Sequence, residues 1–206
     1  MTQKNPSLKE LSPNVKQIIE TLKTGNGRFV IGMRVSNITD TRRQELLAGQ
    51  HPQVSLLCCS DSRVPPELIF DRGLGEIFVV RTAGNVVDDI ALGSLEYGAE
   101  HLVTPLLLVL GHTRCGAVTA AYQSPDMPGH LKKIMEEIKP AIELSSTSVR
   151  GKKEDLVSVA IKQNVNRMVK IIPERSEILQ HLIGKGKLVI IGAVYHMETG
   201  EVEFLR

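Results

Sequence analysis

Apolar positions along the chain follow two rhythms. Between Asn14 and Leu22 they recur at Val15, Ile18, Ile19 and Leu22, the i, i+3, i+4, i+7 stripe of an amphipathic helix. The following "GNGRF" (Gly25 to Phe29) is expected to break or cap it. Further on the rhythm changes to short continuous apolar runs: Val54 to Cys59, Glu76 to Arg81 ("EIFVVR"), Pro105 to Gly111 ("PLLLVLG") and Lys187 to Tyr195 ("KLVIIGAVY"). Runs of this length, closed by polar or turn residues, predict strands buried on both faces. Helical patterns lie between them, over Thr41 to Leu47, Asp89 to Leu102, Pro128 to Leu144, Glu154 to Ile172 and Arg175 to Ile183, with another helix opening at Thr113. "METGEVEFL" closes the chain with a turn and an edge strand.

Strands alternating with helices predict the α/β class: a central, mostly parallel sheet flanked by helices, with a C-terminal edge strand. There is no internal repeat, low-complexity tract or long linker, and 206 residues suit one domain with a substantial core. The expected organisation is a single domain over 1–206, with an N-terminal helical arm over 1–50 and a sheet core over 54–206. Ligands in such sheets sit beyond the carboxyl ends of the strands. Cys59 and His112 both stand at such ends and are expected to face one crevice.

Composition narrows the function. Apolar residues make up 42% and charged residues 23%, with a net charge of +2. That charge is too mild for a nucleic-acid binder, and 3% aromatic residues leave little for a base-stacking surface. The longest apolar run, "VTPLLLVLG", falls well short of the ~20 residues of a membrane span. "MTQKNPSLKELSPNVKQ" has no apolar run after its charges, so the expectation is a soluble cytoplasmic protein without a secretory signal. Cys58, Cys59 and Cys115 are an odd set with two members adjacent, a poor disulfide framework. Free thiols then serve metal binding, catalysis or plain packing. Neighbouring side chains of a strand point to opposite faces, so Cys58 and Cys59 do not serve one site, and Cys58 is read as packing.

His112 and Cys115 are three apart in "GHTRCGA", at a strand-to-helix junction where both can share one face of a first helical turn. With Cys59 they form a Cys₂His set, which suits Zn²⁺ and leaves a fourth position open, the pattern of a catalytic zinc. The helix N-terminus is expected to favour the Cys115 thiolate. A His-x-x-Cys pair carries little by itself; the competing reading has His112 capping a helix, Cys115 in the core and Cys59 inert. Asp61 and Arg63 weigh against it, because charges at a buried strand terminus need pairing. Two residues apart in extended backbone, they face the same side, as an Arg–carboxylate pair does. That pair is either a structural salt bridge or a device that orients a zinc-bound hydroxide. The backbone N–H of Gly116, at a helix start, is a candidate donor to a developing oxyanion.

These residues resemble the β-class carbonic anhydrases. "CSDSRVPPELIF" (Cys59 to Phe70) is similar to the family's Cys-x-Asp-x-Arg motif and its flank, and "GHTRCGAV" (Gly111 to Val118) to its His-x-x-Cys motif. "FVVRTAGNVV", "GSLEYGAEHL", "GNGRF" and "GAVYHMETGEVEFL" extend the resemblance over nearly the whole chain. It implies Cys59, His112 and Cys115 as zinc ligands, Asp61 and Arg63 as the catalytic dyad, and reversible hydration of CO₂ to bicarbonate by a zinc-bound hydroxide. It also implies a homodimer or higher assembly whose N-terminal helices wrap the partner, with Asn14 to Leu22 as the helix concerned.

Departures from the family pattern are His196, Thr113 and Arg114, where an acid and two smaller residues are expected. Arg114 either draws bicarbonate or faces solvent. The chain has no Trp, so the Trp–Arg–Tyr bicarbonate trap of some family members cannot form, which favours an open site with Asp61 paired to Arg63. His101, His130, His181 and His196 qualify as proton shuttles by residue type only. Carbon disulfide hydrolase is similar in fold and zinc motifs and stays open as a second enzyme, as do a zinc scaffold without turnover and a protein with three inert cysteines.

Overall fold

The computed structural model describes residues 11–124, 126–148 and 153–205; the first ten residues of the expected N-terminal arm lie outside them. A five-stranded sheet runs through the middle in the order β2-β1-β3-β4-β5. Strands β1 (Val54–Cys59), β2 (Ile77–Thr82), β3 (Leu106–His112) and β4 (Val189–Tyr195) pair in parallel, and β5 (Val202–Phe204) adds an antiparallel edge to β4. The α/β class and the C-terminal edge strand are as expected. Each strand lies within a residue or two of its apolar run, and β1 coincides with it.

The alternation of β1 and β3 divides the core into two layers. Leu57, Cys59, Leu107 and Val109 face one layer with helices α4 (Asp89–Glu96), α5 (Gly116–Gln123), α6 (Leu131–Ser148), α7 (Lys153–Arg175) and α8 (Glu177–Gly184). Leu56, Cys58, Leu106, Leu108 and Leu110 face the other, covered by α1 (Pro13–Val30) and the short α3 (Pro66–Ile69). A brief α2 (Asp40–Glu45) continues as a 3₁₀ turn, Leu46–Ala48. The strand side chains from Leu106 to Leu110 are wholly buried, each stabilising the fold by about 1.5–3 kcal/mol.

Two helices depart from their sequence patterns. "GNGRF" does not end α1, which runs on to Val30. Gly25 lies inside the helix because a Cβ there would fall 1.8 Å from the Phe70 carbonyl oxygen; glycine lets α1 seat against the α3 turn. Asn26 is buried, its amide nitrogen donating to the Ile69 and Gly200 carbonyls and its oxygen accepting from Val202 N–H. A sequence that reads locally as a breaker is held helical by distant partners. The helix expected from Thr113 begins instead at Gly116, after a turn that carries Arg114 at φ 56. The segment from Asp89 is α-helical to Glu96 and continues as a π turn, Tyr97–His101. Among the described residues, no helix is long and apolar enough to cross a membrane.

Candidate metal centre

Parallel pairing brings the carboxyl ends of β1 and β3 side by side, and with them Cys59 and His112. The chain leaves β3 through Thr113 and Arg114, and Cys115 follows as the N-cap of α5. The left-handed backbone at Arg114, which an L side chain adopts only under constraint, reverses the chain tightly enough to return Cys115 to the strand end. His112 and Cys115 thus meet across a tight turn, not along one face of a helix as their spacing suggested.

The ligand atoms of Cys59, His112 and Cys115 all lie within 4.8 Å of one another, with the two Sγ atoms 4.0 Å apart. All three residues are buried. His112 Nδ1 lies 2.9 Å from the Thr113 carbonyl, which can only accept, so Nδ1 carries the proton. In the neutral ring that leaves Nε2 to offer its lone pair, and Nε2 is buried and without a hydrogen-bond partner. A buried orphan acceptor is costly. Aimed at two thiols, it is the arrangement a tetrahedral metal completes, and the donor set fits zinc.

The contact between the two sulfurs acts oppositely on the two thiols. The hydrogen bond from Cys115 pulls Cys59 down against the opposing effect of burial, and the Gly84 N–H, 3.3 Å from its sulfur, adds to the pull. Cys115 moves the other way, raised by that same bond and by burial, with the start of α5 only partly opposing. Cys58, on the opposite face, is pushed up to about 12 by burial and stays a neutral thiol.

Asp61 and Arg63 are joined in a turn, not in extended backbone. Asp61 Oδ1 accepts from the Arg63 N–H (3.0 Å) and from its Nε (2.9 Å), while Oδ2 accepts from Nη2 (2.7 Å). The fork from Arg63 holds the Asp61 carboxyl at about 2. Oδ2 also stands 3.9 Å from His112 Nε2, so the carboxylate faces the cluster. The argument from buried charge applies only to Asp61, since Arg63 lies largely in solvent. Gly116 opens α5 and is exposed, with nothing within 4 Å of where its Cβ would be.

Several supports escaped the sequence reading. Arg81, the one charge in β2, donates to the carbonyls of Cys59, Asp61 and Val64 and so fixes the loop from Cys59 to Val64. A charged residue in the apolar run "IFVVRT" was the available signal. Glu198, from the C-terminal turn, accepts from Thr113 Oγ1 (2.8 Å) and Arg114 Nε (2.7 Å), and Met197 N–H donates to Thr113 Oγ1. The unexpected Thr113 and Arg114 thus tie the metal turn to the last hairpin, and Arg114 is occupied by Glu198. His196 pairs with Glu203 at 3.1 Å, and His101 stacks on Tyr97; His130 and His181 are exposed.

A sequence profile described as carbonic anhydrase matches residues 54–202. "Carbonic anhydrase 2" of Mycobacterium tuberculosis is 39% identical over 198 residues, covering 91% of this chain and 92% of that protein. A carbonic anhydrase of Mycolicibacterium smegmatis is 38% identical over 189 residues, covering 89% and 90%. Among solved structures, the Coccomyxa β-carbonic anhydrase in complex with acetazolamide superposes with a TM-score of 0.74 at 26% identity, over 94% of this chain and 87% of that one.

Proposed function

From the premise that this chain belongs to the β-carbonic anhydrase family, we propose that Cys59, His112 and Cys115 hold its zinc ion, that Asp61 and Arg63 are the catalytic pair, and that the Gly116 N–H is an oxyanion donor. The reaction is the reversible hydration of CO₂ to bicarbonate and a proton. Zinc held there supplies Lewis acidity, making water acidic enough to react as hydroxide near neutral pH.

The chain's own residues set the rest. Two thiolates and a neutral imidazole balance the charge of a zinc ion and leave one position free. Such a set would weaken the Lewis acidity the metal supplies, and a carboxylate acceptor beside it would compensate. Asp61 is that acceptor. Held at about 2 by Arg63, it is a carboxylate throughout the working pH range, able to take a hydrogen bond at Oδ2 and turn a lone pair towards CO₂. For the same reason it does not keep the proton, which must pass to buffer. Arg63 holds both carboxylate oxygens and so would keep Asp61 from turning in to become a further ligand. Gly116, in the first turn of α5, has an N–H outside the helical ladder that can meet the developing negative oxygen.

The observation that carries this reading is the buried, partnerless Nε2 of His112 beside two thiols and a clamped carboxylate. Stopped-flow CO₂ hydration on zinc-quantified protein tests it. Turnover should rise in proportion to bound zinc. Full zinc with no hydration would reject it, and CS₂ would be the next substrate tried.

The protein acts in the cytoplasm as a homodimer or larger homo-oligomer. Three cysteines kept as thiols suit a reducing compartment. The apolar face of α1 packs on its own sheet, so the residues that call for a partner lie further on: Ile31, Met33, Val35, Ile38 and Leu47 are 67–78% exposed. Sedimentation of a monomer at micromolar concentration would reject the assembly.

A further inference from the structure

Asn164 lies on α7, across the sheet's helical layer from the metal ligands, and is 1% exposed. Its Nδ2 donates to the Gly84 carbonyl at 2.8 Å, while its Oδ1 is buried without a partner. Gly84 in turn donates its N–H to Cys59 Sγ at 3.3 Å. Gly84 sits at φ 71, and a Cβ there would come 2.7 Å from Ile138 Cδ1 and 3.2 Å from the Ala117 Cβ, so neither the backbone conformation nor the space accepts another residue. Glycine also turns about its Cα more freely than any other residue. A glycine donor therefore needs an outside restraint, and the Asn164 amide supplies one on the far side of the Gly84 Cα by holding its carbonyl.

We propose that Asn164 is a positioning residue for the metal centre: by anchoring the Gly84 carbonyl, in the peptide that follows the Gly84 Cα, it restrains the residue whose N–H, in the peptide before that Cα, meets the Cys59 sulfur. The inference rests on Cys59 being a zinc ligand. An N–H held on a thiolate lowers the energy of the sulfur lone pairs and fixes the direction of the one that binds, so that without the restraint the ligand is free to turn away from the metal. The buried, half-satisfied amide accounts for a polar residue on an otherwise apolar helix stripe of Ala160, Ile161, Val165 and Met168. An isolated side-chain amide is costly to bury, and its one bond goes to the peptide beside the ligand.

The test compares the full chain with Asn164→Leu, which matches the volume and removes the donor, and Asn164→Ala, which removes the amide altogether. Zinc dissociation into a chromogenic chelator should quicken about tenfold or more in both, the usual size of a lost outer hydrogen bond at a metal site. In the Co²⁺-substituted proteins the thiolate-to-metal charge-transfer band should move to lower energy, a change that general loosening of the fold does not give. Folded variants with wild-type zinc release and an unmoved band overturn the proposal. If neither variant folds, wild-type protein loaded with ¹¹³Cd decides it: a resolved coupling between the metal and the Gly84 amide proton is expected, and its absence overturns the assignment. Failure of wild-type protein to bind zinc at all would instead reject the ligand set.

Discussion

Arg81 Nη2 donates to the Asp61 carbonyl at 2.7 Å, and the same guanidinium reaches the carbonyls of Cys59 and Val64. One side chain on β2 thus sets the path of the loop that carries Cys59, the proposed zinc ligand, and the Asp61 carboxylate. Arg81→Lys keeps the charge but loses the fork. Hydrogen bonds from a charged donor contribute about 1.5–3 kcal/mol, so a loss of about 2 kcal/mol in urea unfolding is expected. Zinc should remain bound while kcat falls about tenfold or more, because a small displacement of Asp61 is enough to misalign it. An unchanged kcat would show that the loop keeps its path without Arg81.

Cys59→Ser and Cys58→Ala separate the two faces of β1. The first should lose stoichiometric zinc and all measurable CO₂ hydration, since a hydroxyl does not replace a thiolate ligand. The second should keep both and lose about 1 kcal/mol of stability for the small cavity it leaves. Zinc analysis after gel filtration distinguishes them, and a zinc-replete Cys59→Ser would remove that residue from the ligand set.

Asp61→Asn should keep zinc and the fold and lose about 10²–10⁴-fold in kcat, the usual contribution of a positioned proton acceptor. The amide offers an N–H where Oδ2 now accepts. Loss of zinc in this variant would instead make Asp61 an anchor of the site.

Asp71 predicts a pH effect on stability away from the metal. Burial alone would push its carboxyl up, but the Arg28 guanidinium and the N–H groups of Val35 and Ser36 outweigh burial and hold it below the usual carboxylate range. Folded protein therefore takes up this proton at lower pH than unfolded chain. The stabilisation is complete above the ordinary value of 3.8 and drains away as pH falls below it. Asp71→Asn suits the left-handed backbone there, at φ 47, yet leaves Arg28 without its counter-charge. It should cost about 3 kcal/mol at pH 7 and flatten the acid limb of a urea-midpoint-against-pH curve. A wild-type acid limb in the variant would reject the assignment.

How much of this was legible depended on the reach of each interaction. β1 was read to the residue, because a six-residue buried run has one reading once helices flank it. Cys59 and His112 followed from the rule that chemistry gathers at strand ends. The continuation of α1 through "GNGRF" was not legible: Gly25 answers to the Phe70 carbonyl and Asn26 to Gly200 and Val202, partners up to 176 residues away. The His112 to Cys115 turn was misread because a spacing of three fits both a helix face and a left-handed reversal. Asn164 left a trace, a polar residue on a buried stripe, but its meaning lies in a hydrogen bond to Gly84, which no local pattern reports.

The adjacent cysteines of β1 give the metal a second role. One sulfur faces each side of the sheet, so a slip of one position in the pairing of β1 would aim Cys58 at His112 and turn Cys59 towards α1. A slip of two would restore the facing but carry the sulfur about 6.6 Å along the strand, outside the 4.8 Å cluster. A zinc ion held, as proposed, by Cys59, His112 and Cys115 would therefore count residues: it would reward the one alignment of the central strands in which the odd and even positions fall correctly, and so proof-read the sheet it completes.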